Sequence, residues 1–201
     1  IRQMMVWMLF NPDPDHIVQL GLGSASLTRF CYYHFPLARV TAVEINPSVI
    51  ALCRERFFLP ENDEYLTVLN QPAQAYLTEG RSHVDVLQVD LYDEHARAPV
   101  LDTPAFYRSC ADVLKKNGMM VINIFGAQSN RRRTIRTLNS VFDSAVWLPA
   151  THDAANVVAL AFKDSPVLAF DTLYERAGII RQKTGLSAES WVDGLLAWTQ
   201  R

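Results

Sequence analysis

The chain has 201 residues, 49% hydrophobic and 20% charged, with a formal net charge of −2. That length supports one substantial core, and the near-neutral charge argues against a nucleic-acid or anionic-membrane surface. No apolar run approaches the length of a membrane span. The cysteines Cys31, Cys53 and Cys110 are odd in number, lack CxxC spacing and sit in helical stretches, which predicts buried, reduced thiols in a cytoplasmic protein.

In chain order, Ile1 to Phe10 predicts a short helix with Met4, Met5, Met8 and Leu9 on a broad apolar face. It lacks the charged leader and cleavage site of a secretion signal, and a first residue that is not Met leaves room for upstream sequence. Asn11, Pro12, Asp13, Pro14 and Asp15 form a break. Ile17 to Leu20 is a β-branched run that stops at Gly21-Leu22-Gly23, followed by a helix to about His34 and a second strand from Val40 to Val43. Asn46 and Pro47 cap and open the next helix, which runs to about Phe57. Leu66 to Leu69 is a third strand, Gln74 to Leu77 lies on a helix, and Val84 to Val89 is a fourth strand. Tyr92 to Val100 is a loop and Thr103 to Leu114 a helix, stopped by Lys116, Asn117 and Gly118. Met119 to Phe125 is an apolar fifth strand, then a helix continues through Phe142. Val146 to Leu148 and Val157 to Phe162 lie close enough to form an antiparallel edge hairpin. Asp171 to Lys183 and Ser187 to Thr199 read as terminal helices, with Ser187 as a cap. Short buried strands alternating with amphipathic helices predict an α/β fold with a mostly parallel, doubly wound sheet, and residues 1–201 read as a single domain.

The strand, glycine turn and helix around Gly21 and Gly23 would present backbone N–H groups to a ligand. Glu44 ends the next strand a little over twenty residues on, where an acid can hydrogen-bond a ribose. As a purely structural feature, the same turn would be a tight connection and Glu44 a solvated strand end. Asp90 ends the fourth strand, and Tyr92 and Asp93 follow at the same sheet edge. Two carboxylates there could hold a cationic substrate and take the proton of an attacking amine; alternatively they cap the following turn. Arg131, Arg132 and Arg133 read as a solvated helix face and His95 as a loop-surface residue. His16, His34, His83 and His152 show no metal-ligand spacing, so no metal is expected.

The segments Val43-Glu44-Ile45-Asn46 with Val49-Ile50, Asp85-Val86 leading to Asp90 and Asp93, and Phe106-Tyr107 leading to Leu114, Asn117 and Gly118 resemble the polyamine aminopropyltransferases, the spermidine synthase family. The resemblance is continuous from about Gln3 to Gly126 and looser beyond. It implies a Rossmann-like fold of the S-adenosylmethionine-methyltransferase type and transfer of an aminopropyl group from decarboxylated S-adenosylmethionine to putrescine or a related amine. On that resemblance Gly21 and Gly23 line the nucleoside turn, Glu44 binds the ribose hydroxyls and Asp90 accepts the amine proton. Asp93 would help bind the aminopropyl or amine groups, and Tyr92 would line the channel. The implied partner is a small-molecule polyamine, with no nucleic acid or membrane, and a homodimer stays open.

Several positions depart from the family pattern. Ser24 stands where the family carries the acid that holds the donor's amino group. Pro72 falls where an acid reads the adenine amino group, with Gln71 as a polar substitute. Trp7 and Gln3 replace a His and an acid, and the loop after Asp93 reads Glu94-His95-Ala96-Arg97-Ala98-Pro99. The family's N-terminal β-rich domain is expected to be missing. These departures keep two rivals open: methyl transfer from S-adenosylmethionine, and an inactive binding or interaction protein on the same scaffold.

Overall fold

The computed structural model describes residues 2–78, 83–92, 101–125, 128–148 and 156–199. Arg2–Leu9 is a 3-10 helix. The strands are β1 His16–Leu20, β2 Arg39–Glu44, β3 Leu66–Asn70, β4 Val84–Val89, β5 Leu114–Phe125, β6 Ser144–Leu148 and β7 Asn156–Phe162. The helices are α1 Ser26–His34, α2 Pro47–Arg56, α3 Ala73–Thr78, α4 Pro104–Val113, α5 Gln128–Asn139, α6 Phe170–Thr184 and α7 Glu189–Thr199.

The strands form one sheet in the order β3-β2-β1-β4-β5-β7-β6. β1 to β5 are parallel, whereas β7 runs antiparallel to both β5 and β6. The edge hairpin expected from sequence is therefore present, with β7 inserted between β5 and β6. Every residue of β1 is buried, as a central parallel strand covered on both faces requires. One face packs Ile17, Val40 and Val86 against the 3-10 helix, α1, α2, α6 and α7. The other packs Val18, Leu87 and Ile122 against α3, α4 and α5. The strand order reverses between β1 and β4, which makes the C-terminal ends of those strands the natural ligand crevice.

Local rules account for most boundaries. Asn46 accepts the Ser48 N–H at 2.9 Å, with Pro47 opening α2, and Thr103 accepts the Phe106 N–H at 3.2 Å ahead of Pro104. Cys31, Cys53 and Cys110 are buried free thiols on α1, α2 and α4. Burial pushes the Cys31 and Cys110 thiols upward, far from the reactive thiolate range.

Several boundaries differ from the sequence expectation; the helix expected through Phe142, for one, ends at Asn139. The N-terminal segment is the short helix expected, of 3-10 type, but it is not one-sided: Met4 to Leu9 are all buried. Its carbonyls are taken by distant side chains: Gln88 Nε2 donates to Met4 O at 3.0 Å and Arg176 Nη1 to Leu9 O at 2.8 Å. Lys116, Asn117 and Gly118 do not cap a helix but lie inside β5, where the pairing slips between Val84–Leu114 and Val86–Met119. Gly118 serves close backbone approach there, since a Cβ would sit 2.9 Å from Val84 O. Lys163 Nζ takes the Ala111 and Leu114 carbonyls instead, both at 2.8 Å. Finally, α7 starts at Glu189, two residues after Ser187, whose carbonyl accepts the Ser190 hydroxyl at 2.7 Å.

Candidate active site

The glycine turn after β1 holds two left-handed residues, Gly21 at φ 94° and Gly23 at φ 54°. Gly21 N–H donates to Val43 O at 2.9 Å, and Asp90 N–H donates to Leu20 O at 2.9 Å, so the three strand ends meet at one point. A Cβ on Gly21 would lie 2.3 Å from Asp90 O, an impossible contact. Glycine here is what lets the turn and the end of β4 close on each other.

Glu44 ties this turn to the next. Its Oε2 accepts the Leu22 N–H at 3.0 Å and its Oε1 accepts the Asn46 N–H at 2.9 Å. Each carboxylate oxygen retains a lone-pair direction for a ligand hydroxyl. Asn70 braces the same corner, donating to the Glu44 and Ile45 carbonyls, both at 3.0 Å. Below the turn, the Cys53 thiol donates to Gly23 O at 3.2 Å. Burial and the Glu44 charge hold that thiol above its usual range.

A cavity of about 610 Å³ opens at this edge, within the roughly 300–1,000 Å³ of small-molecule sites. Gly21, Gly23, Glu44, Asp90 and Tyr92 all line it, together with the apolar side chains of Ile45 and Leu101. Two other residues named from sequence lie off its wall. Ser24 is exposed, with its hydroxyl 2.9 Å from that of Ser26. Gln71 sits just before α3, and its buried Nε2 has no hydrogen-bond partner; Pro72, Ala73 and Gln74 line the cavity instead. Asp93 and His95 lie outside the described residues.

Asp90 belongs to a polar array that the sequence reading missed. Asn123 on β5 donates through Nδ2 to Asp90 Oδ1 at 2.9 Å and to Tyr92 Oη at 2.6 Å. Asn156, the first residue of β7, donates to Tyr92 Oη and to Asn123 Oδ1, both at 3.2 Å. Burial raises the Tyr92 phenol above its usual range, reinforced by the Asp90 charge and a hydrogen bond to it and opposed by Asn156. The available signal was Asn123 itself, the one amide in an otherwise apolar run from Met119 to Phe125.

Around the cavity, then, are Glu44 at the end of β2, an apolar wall and a second acid, Asp90, at the end of β4. Among the described residues no group of three His, Cys, Asp or Glu could hold a metal ion, and no helix is long and apolar enough to cross a membrane. The seven-stranded sheet and its order define a fold of the S-adenosylmethionine-methyltransferase type. The structure of human methyltransferase-like protein 13 in complex with SAH is similar at a TM-score of 0.76 and 20% identity, covering 88% of this chain and 84% of that one. The Thermotoga maritima spermidine synthase structure is similar at a TM-score of 0.67 and 16% identity, covering 92% and 74%. By sequence, residues 4–141 match the spermine/spermidine synthase domain. A polyamine aminopropyltransferase of Neisseria meningitidis is 34% identical over 98% of this chain and 75% of its own length. The chain belongs to the spermine/spermidine synthase family.

Proposed function

We propose that the protein transfers an aminopropyl group from decarboxylated S-adenosylmethionine to a polyamine such as putrescine. The observation that carries this reading is the placement of Glu44 and Asp90 on one cavity, at the ends of β2 and β4. The nucleoside fits the residues present: Glu44 takes the ribose hydroxyls, Gly21 and Gly23 let the backbone approach it, and Ile45 offers an apolar surface to the base. In the transfer, the acceptor nitrogen attacks the aminopropyl carbon bound to sulfur. The C–S bond breaks with its electron pair going to sulfur, leaving neutral methylthioadenosine, and the nitrogen's proton goes to Asp90. A carboxylate within hydrogen-bond reach is a suitable base for such a step. Asp93 would help hold the amine. The same reading assigns the protein to cytoplasmic polyamine biosynthesis.

Methyl transfer is the second reading. It is favoured by Ser24, which brings no carboxylate to repel that of S-adenosylmethionine, and by the likeness to a methyltransferase structure bound to SAH. Calorimetry with methylthioadenosine, decarboxylated S-adenosylmethionine and S-adenosylmethionine, followed by an assay of each bound donor with putrescine, separates the two. Aminopropyl transfer requires tight binding of the decarboxylated donor and turnover with it. Binding confined to the carboxylate-bearing donor would replace this reading with methyl transfer, and no binding of any nucleoside would sink both.

A further inference from the structure

Asn123 is 6% exposed in the middle of an apolar strand, an expensive place for a carboxamide unless its polar atoms are all used. They are. Its two N–H groups go to Asp90 Oδ1 and Tyr92 Oη, and its oxygen accepts from Asn156. This pattern fixes which way the amide faces, because the flipped amide would point its oxygen at the Asp90 carboxylate. Tyr92 Oη accepts from both asparagines, so its own O–H is left to donate on the Asp90 side of the array. Each donor in the array therefore points, directly or through one neighbour, at a single carboxylate.

We propose, building on the aminopropyl-transfer reading, that Asn123 is a positioning residue that pins one oxygen of Asp90 and thereby directs the amine proton to the other. With Oδ1 committed to Asn123, the carboxylate cannot rotate freely, and Oδ2 is the oxygen that receives the proton. Protonation at Oδ2 leaves Oδ1 a carbonyl-type acceptor, so the hydrogen bond from Asn123 survives the transfer. The array is arranged in advance and need not reorganise when charge moves, which is how fixed dipoles contribute to catalysis. Asn156 seats Asn123 from β7, the antiparallel strand whose first residue falls at the same sheet edge because Phe125 pairs with Asn156. A strand running the other way would have placed its last residue there.

The test compares wild type with Asn123→Asp, Asn123→Leu and Asn156→Ala by following the Asp90 signal in a carbon-13 carboxyl NMR titration, alongside pH–rate profiles. Asn123→Asp sets a second carboxylate against the first, and two carboxylates in one place hold one proton between them. The Asp90 titration and the acid limb of kcat/KM should both move up by at least one pH unit. Affinity for methylthioadenosine should stay within about threefold, since Glu44 and the glycine turn are untouched. Asn123→Leu should lower kcat by about 10- to 100-fold, the scale of a misoriented base. Asn156→Ala removes a half-buried residue at a strand end and should move the titration the same way by a smaller step. If Asn123 merely fills the strand, melting temperatures will change while the Asp90 titration stays where wild type has it, and the proposal is overturned. The NMR readout needs no turnover, so absent aminopropyl transfer would defeat the functional reading while the titration still decides the role of Asn123.

Discussion

At the N-terminal end of the sheet, Asp85 is consumed by structure; at the C-terminal end, Asp90 faces a cavity. Asp85 Oδ2 accepts the Asp15 N–H at 3.0 Å, the His16 N–H at 2.9 Å and the Lys115 ammonium at 3.0 Å. Asp90, five residues later and one strand-length away, accepts an amide hydrogen bond at Oδ1 and lines an open cavity with no lysine or arginine among the described residues of its wall. The same residue type on one strand thus serves opposite ends, and the difference lies in what the neighbouring loops deliver. Lys115 enters where the slipped pairing of β4 and β5 lets it reach down, whereas β5 and β7 deliver neutral amides at the other end. A cation beside Asp90 would lock it as an ion pair; neutral amides orient it without one.

The largest effect that would separate the two ends is Asp90→Asn. It removes the base while preserving shape, so kcat should fall by about 10²- to 10⁴-fold with methylthioadenosine affinity and melting temperature nearly unchanged. Equal loss of affinity and turnover would contradict the role given to Asp90. Gly21→Ala should come next, affecting stability and site together. The added Cβ meets Asp90 O at 2.3 Å on a backbone at φ 94°, so a loss of about 3 kcal/mol is expected in urea unfolding. Nucleoside affinity should fall in parallel, because the strand ends can no longer close. Asp85→Ala should show the reverse of Asp90→Asn. It strands two backbone N–H groups and leaves the Lys115 ammonium with Asp15 at 2.6 Å, for a loss of about 2 kcal/mol that comes mainly from the backbone groups. Nucleoside binding should not change, and a marked drop in affinity would mean that the two ends are coupled.

How much of this contrast the sequence carried follows from the range of each interaction. Glycines, prolines and Asx residues act within a few positions, so the turn at Gly21 and the cap at Asn46 could be read directly. Apolar runs likewise marked the parallel strands and the edge hairpin. What escaped depends on partners far along the chain. Lys116 to Gly118 have helix-stop composition but lie in the irregular part of β5, between the Val84–Leu114 and Val86–Met119 pairs. The N-terminal 3-10 segment is held by Gln88 and Arg176, 84 and 167 positions from the carbonyls they bind. Asn123 and Asn156 meet across 33 positions, and a single amide in a strand has no periodicity to announce it. Strand-end spacing picked out the two acids and the turn and the family resemblance gave them roles, but neither pointed to the amides that hold one of those acids.

The N-terminal end also carries the smallest expected effect, a pH dependence. His16 is buried on β1, its Nε2 2.9 Å from Thr41 Oγ1 and its ring stacked at 5.0 Å on His83. Burial lowers its pKa from 6.5 to about 4, helped by the nearby Arg39, His83 and Lys115 and opposed by Asp85. Above pH 6.5 the ring is neutral in both folded and unfolded chains and contributes no pH dependence. As pH falls from 6.5 towards 4, the unfolded chain takes up a proton that the folded one refuses, so stability declines across that window. Between pH 6.5 and 5 the decline is about 1.5 kcal/mol. His16→Gln, which keeps a side chain able to reach Thr41, should remove that part of the slope while leaving stability at pH 8 within about 1 kcal/mol of wild type. The exposed Asp15, Asp63 and Asp143, whose hydrogen bonds lower their pKa values, act in the same sense at more acid pH, so the difference between variant and wild type isolates the histidine. Unfolding midpoints that track each other from pH 7 to pH 5 would show that the sheet opens enough to protonate His16 without unfolding. The closed N-terminal end would then be less rigid than its hydrogen bonds indicate, and the contrast with the open cavity end would rest on charge alone.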